Sequence, residues 1–136
     1  MNDEILSILR TARTVAVVGL SPDPARPSYQ VASYLRRQGY QVIPVNPLAA
    51  EVMGLRSYPD LLSVPTAVDV VDVFRRPQHV PEIVEQAIAI RARAVWLQSG
   101  IVHEQAARRA RDAGLIVVMD RCMRTEHERL RALGQL

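Results

Sequence analysis

The sequence predicts an α/β protein, a Rossmann-like doubly wound parallel sheet of about five strands with helices on both faces. Three observations predict it. Five short runs rich in β-branched and other apolar residues recur along the chain, which is how strands buried on both faces read. Between them lie segments whose apolar residues fall at helical spacing. The 136 residues contain no repeat, low-complexity tract or linker, so one domain over residues 1–136 is expected.

Near the start, Ile5, Leu6, Ile8 and Leu9 recur at helical spacing, and either Asn2 or Asp3 can cap that short helix. "TVAVVGL" (Thr14 to Leu20) is the first strand. "SYQVASYLRRQG" is a helix with the apolar stripe Val31, Ala32 and Leu35, capped by Ser28 and ended by Gly39. "YQVIPVNP" is a second strand stopped by Asn46-Pro47. Leu48 to Pro65 has weak periodicity and reads as loop, with a short helical turn around Pro59 to Leu62. "AVDVVDVF" is the third strand, and "PEIVEQAIAIRA" a helix with Pro81 in its first turn, where a missing N–H matters little. "AVWLQSG", "HEQAARRARDAG", "LIVVMD" and "TEHERLRAL" supply strand, helix, strand and a closing helix. The preferred strand order is third-second-first-fourth-fifth, with second-first-third-fourth-fifth, as in flavodoxin-like folds, as the alternative.

Composition excludes several classes. The chain is 49% hydrophobic and 23% charged, unlike a disordered protein, and no apolar run approaches the roughly 20 residues of a membrane span. The opening "MNDEILSILRTAR" is acidic where a signal peptide is basic, so a cytoplasmic protein is expected. All 17 basic residues are arginine, the net charge is only +3, and one Trp, one Phe and four Tyr offer few stacking surfaces, so neither nucleic acid nor membrane is an expected partner. The single cysteine, Cys122, excludes an internal disulfide and agrees with a reducing compartment.

In an open α/β sheet, ligands bind outside the carboxyl ends of the strands. The segments that leave those ends hold Gly19, Ser21, Arg26 and Ser28; Asn46 and Pro47; Arg75 and Arg76; Gln98, Ser99 and Gly100; and Asp120, Arg121 and Cys122. Gly19 lets the backbone turn and approach a ligand, or serves a tight turn that binds nothing. The first turn of the following helix offers free N–H groups to an anion, and Arg26 adds a fork-shaped donor. Pro22, Pro24 and Pro27 stiffen that loop. Arg75 and Arg76 can clamp a phosphate. Cys122 reads as a small buried hydrophobe or as a thiol near the cleft, its thiolate favoured by Arg121 and Arg124. A metal site from Cys122, His127 and His103 fits no zinc spacing. Asp69 and Asp72 fall inside a predicted strand and need partners if buried. NAD is disfavoured because G-x-G-x-x-G is absent and the second strand ends in "VIPVNP" instead of an acidic residue.

"VAVVGLSPDPARPSYQVASYLRRQGYQVIPVNP", "DVVDVFRRP", "AVWLQSGI" and "GLIVVMDRCMRTEH" together resemble the stand-alone CoA-binding domain proteins, relatives of the CoA-binding domain of the succinyl-CoA synthetase alpha subunit. The resemblance implies a domain that holds coenzyme A or an acyl-CoA across the strand ends and lends no support to ligase chemistry, so a binding module without catalytic apparatus of its own is expected. It implies that Gly19, Leu20, Ser21, Arg26 and Ser28 hold phosphate, and that Asn46 and Pro47 border the adenosine, with Val73, Phe74 and Arg75 on its other side. It implies further that Gln98, Ser99 and Gly100 face the pantetheine arm, while Arg76 and Cys122 are added as candidate binding residues from their place at the strand ends. Leu20 stands where the family has a small residue. The alternatives are a Cys122-dependent acyl-CoA or redox enzyme and an NAD(P)-binding redox protein. The amphipathic outer face leaves room for a homodimer or a protein partner.

Overall fold

The computed structural model describes residues 2–136. Five parallel strands form one sheet: β1 (Thr14–Val18), β2 (Gln41–Val45), β5 (Val70–Val73), β6 (Ala94–Leu97) and β7 (Ile116–Val118), in the order β2-β1-β5-β6-β7. Two further strands, β3 (Glu51–Val52) and β4 (Leu55–Arg56), form a small antiparallel hairpin. Helices α1 (Asn2–Thr11), α2 (Pro27–Arg37) and α5 (Met123–Ala132) cover one face of the sheet, and α3 (Val80–Ala89) and α4 (Glu104–Asp112) cover the other.

Side-chain alternation along the strands explains the two layers. Val15, Val17, Val70, Ala94, Trp96 and Val118 pack under α1, α2 and α5, while Ala16, Val18, Val71, Val73, Val95 and Leu97 pack under α3 and α4. Both sets are buried, which is why the strands read as near-continuous apolar runs. Pro81 sits in the first turn of α3, as expected. The expected cap at Asn2 falls on a side chain outside the described residues, and Asp3 lies within the first turn of α1.

Two expectations are corrected. The third predicted strand, β5, pairs with β1 and not outside β2, so the order is the flavodoxin-like one. Pro44 gives the physical reason. It lies in β2 opposite Val17, and a strand whose middle residue lacks an N–H belongs at a sheet edge. On the outer side of β2, Tyr58 N–H donates to the Pro44 carbonyl and Asn46 N–H to the Tyr58 carbonyl, and β4 packs beside the strand. Second, Leu48 to Pro65 holds more than a loop with the expected short helical turn. It contains the β3–β4 hairpin, turned by Met53 and Gly54 at φ 58° and 72°, and a 3₁₀ turn at Leu61–Ser63. Two successive positive φ values make the mirror-image turn that suits hairpin twist, and Met in its first position hid the signal.

Candidate functional site

The observed strand order puts the topological switch between β1 and β5, since the chain leaves β1 outward to β2 and returns on the other side. The crevice therefore lies beyond Val18 and Val73. Gly19 follows β1 at φ 86°, and a Cβ there would come within 2.7 Å of the Phe74 carbonyl oxygen and 2.9 Å of Arg75 Cδ. The two strand ends thus close on each other at the glycine. Its freedom serves the approach of β5 as well as the turn.

The loop after Gly19 is pinned by its own hydrogen bonds. Ser21 N–H donates to Ser28 Oγ at 3.0 Å, Asp23 N–H to Ser21 Oγ at 3.1 Å, and Ala25 N–H to Asp23 Oδ1 at 3.0 Å. Prolines are only part of its stiffness, and Asp23, which the sequence reading passed over, is a central acceptor. Ser28 is not the cap expected of it. Pro27 takes the first helical position, so α2 starts two residues earlier, behind Arg26, with no side-chain cap. Ser28, buried in the first turn, turns its hydroxyl to the loop. The first turn of α2, beside the crevice at Pro27, thereby keeps N–H groups with no side-chain cap, the arrangement that attracts anions.

Leu20 is fully buried in the α2 layer, so its side chain is core and not ligand contact. Asn46 is committed to the fold on both ends: Nδ2 donates to the Leu20 carbonyl at 3.0 Å, and Oδ1 accepts from Leu48 N–H at 2.8 Å. It ties the end of β2 to the loop after β1. Val73 is buried in the α3 layer. Arg26 stands exposed on the loop.

Two clefts flank the crevice and share Arg75. One, of about 590 Å³, opens on the α2 and α5 side and gathers Phe74, Arg75, Arg76, Gln98, Ser99, Gly100 and Cys122. Pro27, Val31, Pro77 and Ile101 complete its largely apolar wall. The other, of about 390 Å³, opens on the α3 side, where Pro47 and Arg75 meet Val18, Val45, Asp60 and His79. Sequence reasoning missed Asp60 and His79 as lining residues. His79 lay within reach of it, because it sits in the segment that leaves the third strand.

Gln98 forms part of the floor of the larger cleft. It is buried, and its Nε2 donates to Asp72 Oδ1. Asp72 is wholly buried, its Oδ2 has no hydrogen-bond partner among the described residues, and burial pushes the carboxyl up to about 7 against the opposing Gln98 bond. Asp69, at the start of the same strand, accepts instead from Arg13 and Thr14 N–H groups and faces Arg93. On the far wall Asp120 adopts φ 59°, and its Oδ1 accepts from Gly100 N–H at 2.6 Å. Arg121 is fixed beside it, its carbonyl accepting from Trp96 Nε1 at 2.8 Å.

Cys122 is half-buried at the N-terminus of α5 and faces the cleft. The neighbouring arginines do not serve it. Arg121 pairs with Glu126 at 3.1 Å and Arg124 with Glu128 at 3.5 Å, so both cations are already compensated. His127 is held by the Tyr34 hydroxyl at 2.8 Å, and His103 caps α4 by accepting from Ala106 N–H. Among the described residues no three His, Cys, Asp or Glu side chains converge on a metal position.

Fold and crevice define a small Rossmann-like domain whose ligand edge is rich in donors. Comparison with known proteins makes the class specific. Residues 13–128 match the family model described as CoA binding domain, and the chain belongs to that family. It is 36% identical over 124 residues to the uncharacterized protein YneT of Bacillus subtilis, covering 91% of this chain and 92% of that protein. A hypothetical protein of Pyrococcus horikoshii superposes with a TM-score of 0.93 at 44% identity, over 96% of this chain and 92% of the other. The dinucleotide-forming acetyl-coenzyme A synthetase 1 of Ca. Korarchaeum cryptofilum superposes with a TM-score of 0.75 at 29% identity over 85% of this chain. The alignment spans 28% of that synthetase, so the chain corresponds to one part of a much longer protein.

Proposed function

We propose that this protein binds coenzyme A or an acyl-CoA along the carboxyl edge of its sheet and acts as a binding module without catalytic groups of its own. The observation that carries the reading is the pair of clefts meeting at Arg75 over the switch point, beside the uncapped start of α2. An elongated, strongly anionic ligand suits that shape. The adenosine occupies the cleft of Pro47 and His79, the phosphates lie over Gly19 to Ser28 with Arg26 or Arg75 on the 3′-phosphate, and the pantetheine arm runs toward Gln98. Family membership and the likeness to an acetyl-coenzyme A synthetase support the same ligand. A free cysteine is in keeping with a reducing, cytoplasmic compartment.

Titration calorimetry of the ligand-free protein with CoA, acetyl-CoA, 3′-dephospho-CoA and NAD tests this reading. CoA is expected to bind best. A charge-assisted hydrogen bond is worth about 1.5–3 kcal/mol, so removing the 3′-phosphate, or making Arg75→Ala, weakens CoA by roughly ten- to 150-fold. Stronger binding of NAD, or no binding of any of the four, overturns it. The position of Cys122 in the larger cleft favours one second reading, a thiol acting beside the ligand's own. Unchanged thiol reactivity and CoA mixed-disulfide formation in Cys122→Ser would end that one.

A further inference from the structure

The larger cleft has an unexplained feature beneath its floor. Asp72 is an isolated carboxyl in the middle of the sheet, with one oxygen bonded to Gln98 and the other without a partner among the described residues. β1 and β6 on either side of it carry no titratable residue, and the titratable side chains packed into this layer are Tyr29 and Tyr34 on α2, Tyr40 just after that helix, and Glu126 and His127 on α5, with Cys122 at its start. The inward side chains of α1, Ile5, Ile8 and Leu9, are apolar. Glu126 is paired with Arg121 and Arg129, His127 with Tyr34, and Arg75 stands in the cleft above. None of these charges contributes to the perturbation of Asp72, which comes from burial, opposed by Gln98. A buried carboxyl with a single amide partner has two arrangements of similar quality. Ionised, it accepts from the Gln98 NH₂, as observed, and the amide oxygen is turned to the cleft. Protonated, its O–H donates to that amide oxygen, and the flipped NH₂ faces the cleft instead.

We propose that Asp72 is a positioning residue that sets which end of the Gln98 amide meets the ligand, and with it the preference of the cleft for a free thiol or a thioester. The ligand part rests on the CoA reading above. An amide oxygen in the cleft accepts from a thiol S–H and opposes a thioester carbonyl. An NH₂ in the cleft donates to that carbonyl and offers the thiol little. The proton that drives the exchange is taken from or returned to solvent, and no other group changes state.

Two measurements test it. In the ligand-free protein, the Gln98 side-chain amide signals are followed by ¹⁵N NMR from pH 5.5 to 8.5, assigned by their loss in Gln98→Leu. They are expected to titrate with one midpoint near neutrality and to stay fixed in the isosteric Asp72→Asn. Signals that do not titrate in the unaltered protein, or that still titrate in Asp72→Asn, overturn the role of Asp72. Calorimetry then compares CoA with acetyl-CoA at pH 6 and pH 8. Because both carry the same phosphates, the ratio of their affinities cancels phosphate ionisation. One exchanged hydrogen bond predicts that the ratio shifts about three- to tenfold toward CoA at the higher pH. A flat ratio in the unaltered protein, or the same shift in Asp72→Asn, overturns the selection of thiol against thioester. If neither compound binds at either pH, it is the CoA reading that fails, and the amide titration by itself decides what Asp72 does. The measurements on the unaltered protein stand even where a variant does not fold.

Discussion

At Gly19 two demands meet, a positive φ and the absence of a side chain against the Phe74 carbonyl. Either alone disfavours any other residue. A left-handed conformation costs an L-residue roughly 1–2 kcal/mol, and the 2.7 Å approach to a backbone oxygen adds to it because neither strand end can yield cheaply. Gly19→Ala is therefore expected to lower unfolding free energy by about 2 kcal/mol or more in urea titrations. Gly39→Ala, at φ 98° with nothing within 4 Å of the new carbon, should lose only the conformational part, about 1 kcal/mol. The importance of Gly19 was legible from its place between strand and helix, and the partner that makes it obligatory was not, because Phe74 lies far along the chain. Leu20 and Asn46 show the same limit. Both sit at the predicted ligand edge, yet one is core and the other a clamp between two loops. Position along a strand end identifies the neighbourhood of a site. Which atoms remain free there depends on packing from distant residues.

Among the elements, the loop into α2 depends on Ser28, whose hydroxyl accepts from Ser21 N–H in a part-buried setting. Ser28→Ala strands that donor, and a loss of about 1–2 kcal/mol is expected in thermal or urea unfolding. The same variant should exchange the Ser21 amide hydrogen faster than the unaltered protein does. The strands and helices themselves were readable because their apolar periodicity is strong and because Pro81 and Gly39 punctuate them. The preferred order of the strands was not the observed one, because a purely apolar reading of "YQVIPV" passes over Pro44, the one residue that marks β2 as an edge strand. The β3–β4 hairpin was not readable, since two-residue strands have no period to detect and Met53 is an unusual residue for its φ.

Across the whole molecule, Asp72 couples stability to pH. Its folded-state value is raised from 3.8 to about 7, so the native protein holds this proton more tightly than the unfolded chain does. The stabilising share of the group is complete below pH 4, declines as pH rises, and is gone above about 7. At 1.36 kcal/mol per unit this amounts to at most about 4 kcal/mol. Asp72→Asn removes the dependence, so its stability relative to the unaltered protein should increase between pH 5 and pH 8 when both are unfolded in urea; a constant difference would contradict the buried, ionising carboxyl. The carboxyl edge of the sheet has a consequence of another kind. Its two clefts lie on opposite sides and join only at Arg75. A ligand that reaches both is held like a strap over a bar. Once one end is seated, the other searches a small volume instead of bulk solvent, and the tether multiplies two modest grips into a firm one. Such a site rewards length and connectivity in its ligand over the strength of any single contact.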